Sequence, residues 1–128
     1  MLVSGPDSWV IDWTDGALGD RHGDVARTQL LFHVASIAAE SAVERAALKV
    51  VGPRLAKVFL RVYDRRWPLD RARLAQWEIV HLLHGWGQVL ALHAGIIGRE
   101  NERERVPVSL APWLRDRLER RLRETTDL

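Results

Sequence analysis

Four aspartates, Asp12, Asp15, Asp20 and Asp24, fall within thirteen residues of the segment WVIDWTDGALGDRHGDVA, residues 9–26. A short apolar run leads into the first of them. An aspartate at a strand end is short and rigidly placed. Mg²⁺ prefers hard oxygen ligands, and commonly takes one or two protein carboxylates together with the phosphates of a bound nucleotide. Asp12 is therefore a candidate Mg²⁺ ligand. Taken alone, an aspartate that merely ends a strand before a turn is the plainer reading, and bare chemistry favours it. A second constellation, Glu78, His81 and His84, reads Glu-x-x-His-x-x-His on one helix face with Trp77 and Gln88. Carboxylate-bridged metal bundles need a second copy of such a motif. This sequence has one, so a polar seam or a substrate-facing surface is the better reading. His33 belongs to a polar stripe, and His22 lies where loop turns to helix, either solvated or close to a phosphate.

These groups need elements to hold them. MLV and SWVIDW flank SGPD, which predicts a β-hairpin at the N-terminus. Asp20 is placed to cap a helix over residues 21–40. That helix is apolar on most sides. Its polar residues Gln29, His33, Ser36 and Glu40 step by four, three and four, leaving one narrow stripe, so it is expected to be central and buried. SAVERAALKVV predicts a second helix, interrupted at Gly52-Pro53, with Pro53 in the first turn of its continuation. Leu55, Val58, Phe59 and Val62 are then the inner face, and Arg54, Lys57, Arg61 and Asp64 the outer one. Trp67-Pro68 ends it. Asp70 caps a helix to about His84, where Gly85-Trp86-Gly87 is expected to loosen the chain. Residues 98–105 read as a charged connector. The last helix carries Leu114, Leu118 and Leu122 on one side, with Asp116–Arg120 and Glu119–Arg123 as exposed pairs. Of the six tryptophans, Trp67 and Trp86 are the two expected to be partly exposed.

Composition excludes several classes of function. The chain has 128 residues, 47% of them hydrophobic and 28% charged, and no cysteine. That is an ordinary globular balance with neither a disulfide framework nor a thiolate metal site. No run approaches the ~20 apolar residues of a membrane span. The N-terminus has no signal-peptide pattern, and a cytoplasmic protein is expected. The net charge is only +2, and the C-terminal arginines alternate with acids, so neither a nucleic-acid track nor a membrane partner is expected.

The spacing around Asp12 closely resembles the metal-binding segment of the aminoglycoside phosphotransferase-like small-molecule kinases. The shared pattern is an apolar strand, Ile-Asp-Trp, a glycine-containing loop, an aspartate eight residues after the first, and another four later leading into Asp-Val-Ala. Asp12, Gly19, Asp20, Asp24, Val25 and Ala26 fall at those places. FLRVYDRRWPLD, residues 59–70, is similar to the helix, tyrosine and Pro-Leu-Asp turn of bacterial members. The resemblance is specific over residues 10–28 and fades beyond Trp77. It implies a mainly α chain: the helical C-lobe of a protein-kinase-like fold with a short N-terminal hairpin. Residues 1–20 would form the hairpin and metal-binding loop, and residues 21–128 a helical substrate lobe. It also implies Asp12 as the Mg²⁺ ligand facing ATP, and Trp13 packed beneath it. Asp20 would support the loop and helix start, with Gly19 in that loop. Asp24 would be buried and would brace the catalytic loop. His33, Glu40, His81 and His84 are candidates for the substrate lobe.

The family's catalytic loop, His-Gly-Asp with Asn five residues after the Asp, is absent, as are the phosphate-covering loop and the lysine that pairs with the nucleotide. Met1 stands where relatives usually carry Val or Ile. The chain is therefore expected to be the C-terminal part of an ATP-dependent phosphotransferase, from a truncated gene or a start assigned too far downstream. On its own it is expected to be inactive; Mg²⁺ and ATP are the cofactors the resemblance implies for the complete protein. Between residues 25 and 95 stand five acids and ten bases, a poor lining for a polycation. The substrate expected is a neutral or anionic hydroxyl compound, or a singly charged amino alcohol. Open strand edges predict self-association through the N-terminal edge. The alternative is a non-catalytic helical interaction domain, a relic of the kinase C-lobe.

Overall fold

The computed structural model describes residues 2–4, 7–9, 19–98 and 100–126. It is mainly α-helical: α1 (Arg21–Ala38), α2 (Ala42–Arg66), α3 (Arg71–His93), the short α4 (Glu100–Arg105) and α5 (Leu110–Thr126). Two three-residue strands, β1 (Leu2–Ser4) and β2 (Asp7–Trp9), pair antiparallel, with Val3 opposite Ser8. The expected strand end at Asp12, and Trp13 and Asp15 with it, lie outside the described residues. Among the described helices, none is long and apolar enough to cross a membrane.

α1, α2 and α3 each start on a side-chain cap. Asp20 accepts from the His22 N–H, Ser41 from the Glu44 N–H at 3.0 Å, and Asp70 from the N–H groups of Ala72 and Arg73. These caps satisfy backbone donors that a first helical turn leaves without partners. α3 ends in a Schellman motif. Gly95 takes a φ of 75°, its N–H bonds to the Leu92 carbonyl at 3.1 Å, and the Ile96 N–H bonds to the Ala91 carbonyl at 2.9 Å.

The helices lie side by side in the order α2, α1, α3, α5. α1 is thus central, as expected, but it is half-buried rather than enclosed. Only Ser36 is buried between residues 30 and 38, and Leu31 is exposed. The core falls into two clusters. Val25, Ala26, Leu69 and Leu74 gather where α1 begins, with Phe59, Leu60, Tyr63 and Trp77 around them. Leu82, Val89, Leu114 and Leu118 join α3 to α5.

Four sequence expectations are corrected. α2 does not break at Gly52-Pro53. Gly52 is buried where α2 crosses α1, and a Cβ there would collide with the carbonyl oxygen of Phe32. The glycine permits close approach rather than a bend. The inner face of α2 is consequently Gly52 and Ala56 with Phe59, Leu60 and Tyr63, while Leu55, Val58 and Val62 are exposed. α3 also runs unbroken through Gly85-Trp86-Gly87. Two helical glycines cost about 1 kcal/mol each relative to alanine, and packing of Leu82, Val89 and Leu92 offsets that. Gly85 faces α5, and a methyl group added there would stand 3.7 Å from the Leu114 side chain. Finally, part of the charged connector is helical, as α4.

Candidate functional site

The residues that follow the aspartate-rich segment converge on the N-terminal ends of α1 and α3. His22, two residues inside α1, is buried. The Asp70 backbone N–H donates to its Nε2 at 3.1 Å, so Nε2 is the acceptor and Nδ1 carries the proton. Nδ1 donates in turn to Asp20 Oδ1 at 2.5 Å. The other oxygen of Asp20 receives the Trp77 indole N–H at 3.0 Å and the Arg73 Nε at 2.6 Å. The Arg21 guanidinium donates to the Pro68 carbonyl at 2.6 Å, and His81 Nε2 donates to the Gly23 carbonyl at 2.9 Å. A single residue pair would be a weak tie. Here five contacts across 47 to 58 residues of sequence clamp the start of α1 against the turn into α3.

The donors facing Asp20 hold its carboxyl well below the usual carboxylate range. The His22 backbone N–H contributes most, followed by the His22 ring, with Trp77 and Arg73 adding to it and burial opposing. Because the folded carboxyl binds its proton more weakly than the unfolded one, the unfolded chain takes up more protons in acid. Asp20's contribution to stability is therefore complete above about pH 4–5 and is lost as pH falls below the unfolded carboxyl's value. Asparagine caps a helix as well as aspartate does but carries no charge. Asp20→Asn should lower the melting temperature at pH 7, and the gap from the parent protein should narrow in thermal melts taken down to pH 3. A gap that stays constant would assign the loss to something other than the carboxylate.

The other predicted site residues separate. Gly19 is exposed with open space around it. Asp24, expected to be buried, is exposed on the first turn of α1. His22, Gly23 and Asp24 follow one another at the start of α1. They form a helical turn rather than a loop, and His22 is neither solvated nor open to a phosphate. Glu40 is exposed beyond the end of α1.

Glu78 does not join His81 and His84. It turns to α5, where Arg117 Nη2 reaches Oε1 at 3.0 Å and Arg121 Nη2 reaches Oε2 at 2.6 Å. The C-terminal arginines are thus not merely a solvated face, and Arg115–Asp116 and Arg121–Glu124 replace the expected Asp116–Arg120 and Glu119–Arg123 pairs. His33 sits half-buried nearby. Burial, with the Arg117 charge, lowers its pKa, although Glu78 opposes this.

His81 and His84 instead line a recess of about 440 Å³ along the α1–α3 seam, together with Arg27, Leu30, Gly85 and Gln88. Its guanidinium, imidazole and amide groups suit a hydroxylated or anionic small molecule. Among the described residues no cluster of three His, Asp or Glu side chains could hold a metal ion. Asp20 is already committed to His22, Trp77 and Arg73. Asp12, the carboxylate expected to meet Mg²⁺, lies outside the described residues. The sequence reading names His22 and Trp77 but misses their role as partners of Asp20, because nothing in the sequence marks the ring and indole N–H groups that meet it. Compared with protein-family models, curated proteins and solved structures, the chain matches none.

Proposed function

We propose that this chain is the helical C-terminal part of an ATP-dependent phosphotransferase, of the aminoglycoside phosphotransferase-like kind, that acts on a hydroxyl group of a small molecule. The observation that carries the reading is the role of Asp20. Eight residues after Asp12, it caps the central helix and is fixed by Trp77 and Arg73, which is the supporting role the resemblance implies for it. The polar recess beside His81 and His84 is the candidate acceptor pocket, and its lining favours a neutral or anionic hydroxyl compound over a polycation. A cytoplasmic location goes with this reading, as does self-association through the N-terminal edge.

The isolated chain should show no ATP-dependent phosphorylation of any hydroxyl compound. The same chain extended by its own upstream reading frame should acquire it, and Asp12→Asn should abolish the activity, by at least the ~10²–10⁴-fold typical of losing a group that acts in the chemical step. Phosphate transfer from labelled ATP measures both. Turnover by the isolated chain would refute the claim that the catalytic loop is essential. An upstream frame without His-Gly-Asp-x4-Asn would favour the second reading, a non-catalytic interaction domain. The exposed apolar row on α2 is the observation that favours that alternative.

A further inference from the structure

α2 is an edge helix, packed against α1 on one side, and its opposite side carries an ordered pattern. Val51, Leu55, Val58 and Val62 are 43%, 45%, 54% and 60% exposed. They step by four, three and four residues, which keeps them in one row along a helix face. Beside that row, on the edge away from α1, run Arg54, Lys57, Arg61 and Arg65, all exposed. Among the described residues no carboxylate pairs with any of the four. Of the acids of α2, Glu44 lies in the first turn, well before the row begins, and Asp64 takes the Leu69 N–H and the Arg71 guanidinium. The seam opens at its C-terminal end into a groove of about 550 Å³ lined by Phe32, Tyr63 and Trp67, with Arg66 placed over the Trp67 ring at 5.8 Å.

We infer that this face of α2 docks an amphipathic α-helix whose apolar seam is flanked on one edge by acidic residues. Such a helix would lay its apolar residues between Val51, Leu55, Val58 and Val62 and set its carboxylates opposite the basic row. Apolar burial would supply affinity, and the charged edge would select partner and orientation. Three turns of α2 are involved, about 17 Å at 1.5 Å per residue, so a partner helix of three to four turns suffices. The charge pattern disfavours a second copy of this chain. A two-fold axis that pairs two α2 helices antiparallel sets like edge against like edge, which would oppose one row of cations to another. A lipid surface fits less well too. Interfacial helices present a broad apolar face with large Trp, Phe or Leu residues, whereas here a single row of mainly valines has cations on one flank and α1 on the other. This docking role goes beyond the phosphotransferase reading and is independent of it.

The test uses the full chain and two labelled helical peptides of about three heptads, with the same leucine seam and either glutamate or lysine along one edge. Fluorescence anisotropy should show the glutamate peptide binding at least ~10-fold more tightly, with the preference shrinking as salt is raised. Leu55→Gln with Val58→Gln, both at exposed positions and checked for unchanged helicity by circular dichroism, should weaken binding ~10-fold or more. Arg54→Glu with Arg61→Glu should reverse the peptide preference while leaving the melting temperature nearly unchanged. Equal binding of both peptides, or binding of neither, overturns the inference. So does a dimer in sedimentation equilibrium that the Leu55/Val58 variant dissolves, and so does binding to phosphatidylserine vesicles without peptide binding.

Discussion

Gly52→Ala is expected to destabilise the protein by about 2–3 kcal/mol, within the range for forcing an atom into a packed interior, although helix propensity alone assigns the same change a gain of about 1 kcal/mol. The two effects have opposite signs, and the geometry decides between them. Gly52 is buried at the α1–α2 crossing, and the added methyl would press on the backbone carbonyl of Phe32 rather than on a side chain that could rotate away. Either α2 lifts from α1 or the Phe32 peptide shifts. Urea titration of the purified chain measures the change. An unchanged or raised midpoint would mean that the helices can separate without cost, and that the glycine is there for another reason.

Leu82→Ala should have a larger effect. Leu82 is fully buried and packs in the cluster with Val89, Leu114 and Leu118 that fastens α5 to α3. Removing a buried leucine side chain typically costs 2–5 kcal/mol, depending on how far the surroundings collapse. The neighbours here come from two long helices, and α3 is held rigidly by the clamp at its start. We therefore expect little collapse and a loss of about 4 kcal/mol. Against a total stability of roughly 5–15 kcal/mol for a domain, that brings the chain close to unfolding. Thermal melts followed by far-ultraviolet circular dichroism would show it, and a loss below about 1 kcal/mol, well short of the usual range, would mean that α5 contributes little to the core.

Much of this architecture is legible in the sequence, and the failures have physical causes. Asp20 and Asp70 identify helix starts because a short carboxylate before an apolar period has an evident use. The C-terminal helix is legible because its Leu114–Leu118 spacing repeats at four residues. Gly52-Pro53 and Gly85-Trp86-Gly87 mislead because glycine carries two meanings. It can release the backbone or let a neighbouring element approach, and only the neighbour reveals which applies. α2 misleads further because it has two apolar rows. Leu55, Val58 and Val62 face outward, and the row that begins with the small residues Gly52 and Ala56 and continues through Phe59 and Tyr63 is the one α1 covers. The roles of His22 and Trp77 are not legible because each has a partner, Asp70 or Asp20, about fifty residues away.

The side-by-side order α2, α1, α3, α5 also constrains the path by which the chain can acquire its shape. α1 and α2 meet by closing a loop of a few residues, an entropic cost that grows only slowly with length. Their contact buries Gly52 and Ala56 and sets Phe32 against Phe59. The cluster at the start of α1 is completed only when Leu69 and Leu74, at the entry to α3, reach Val25 and Ala26. α5 packs chiefly on α3. The α1–α3 junction, tied by contacts between residues 47 to 58 apart in sequence, is thus the place where the longer closure entropy of the first three helices is met, and His22 stands at its centre.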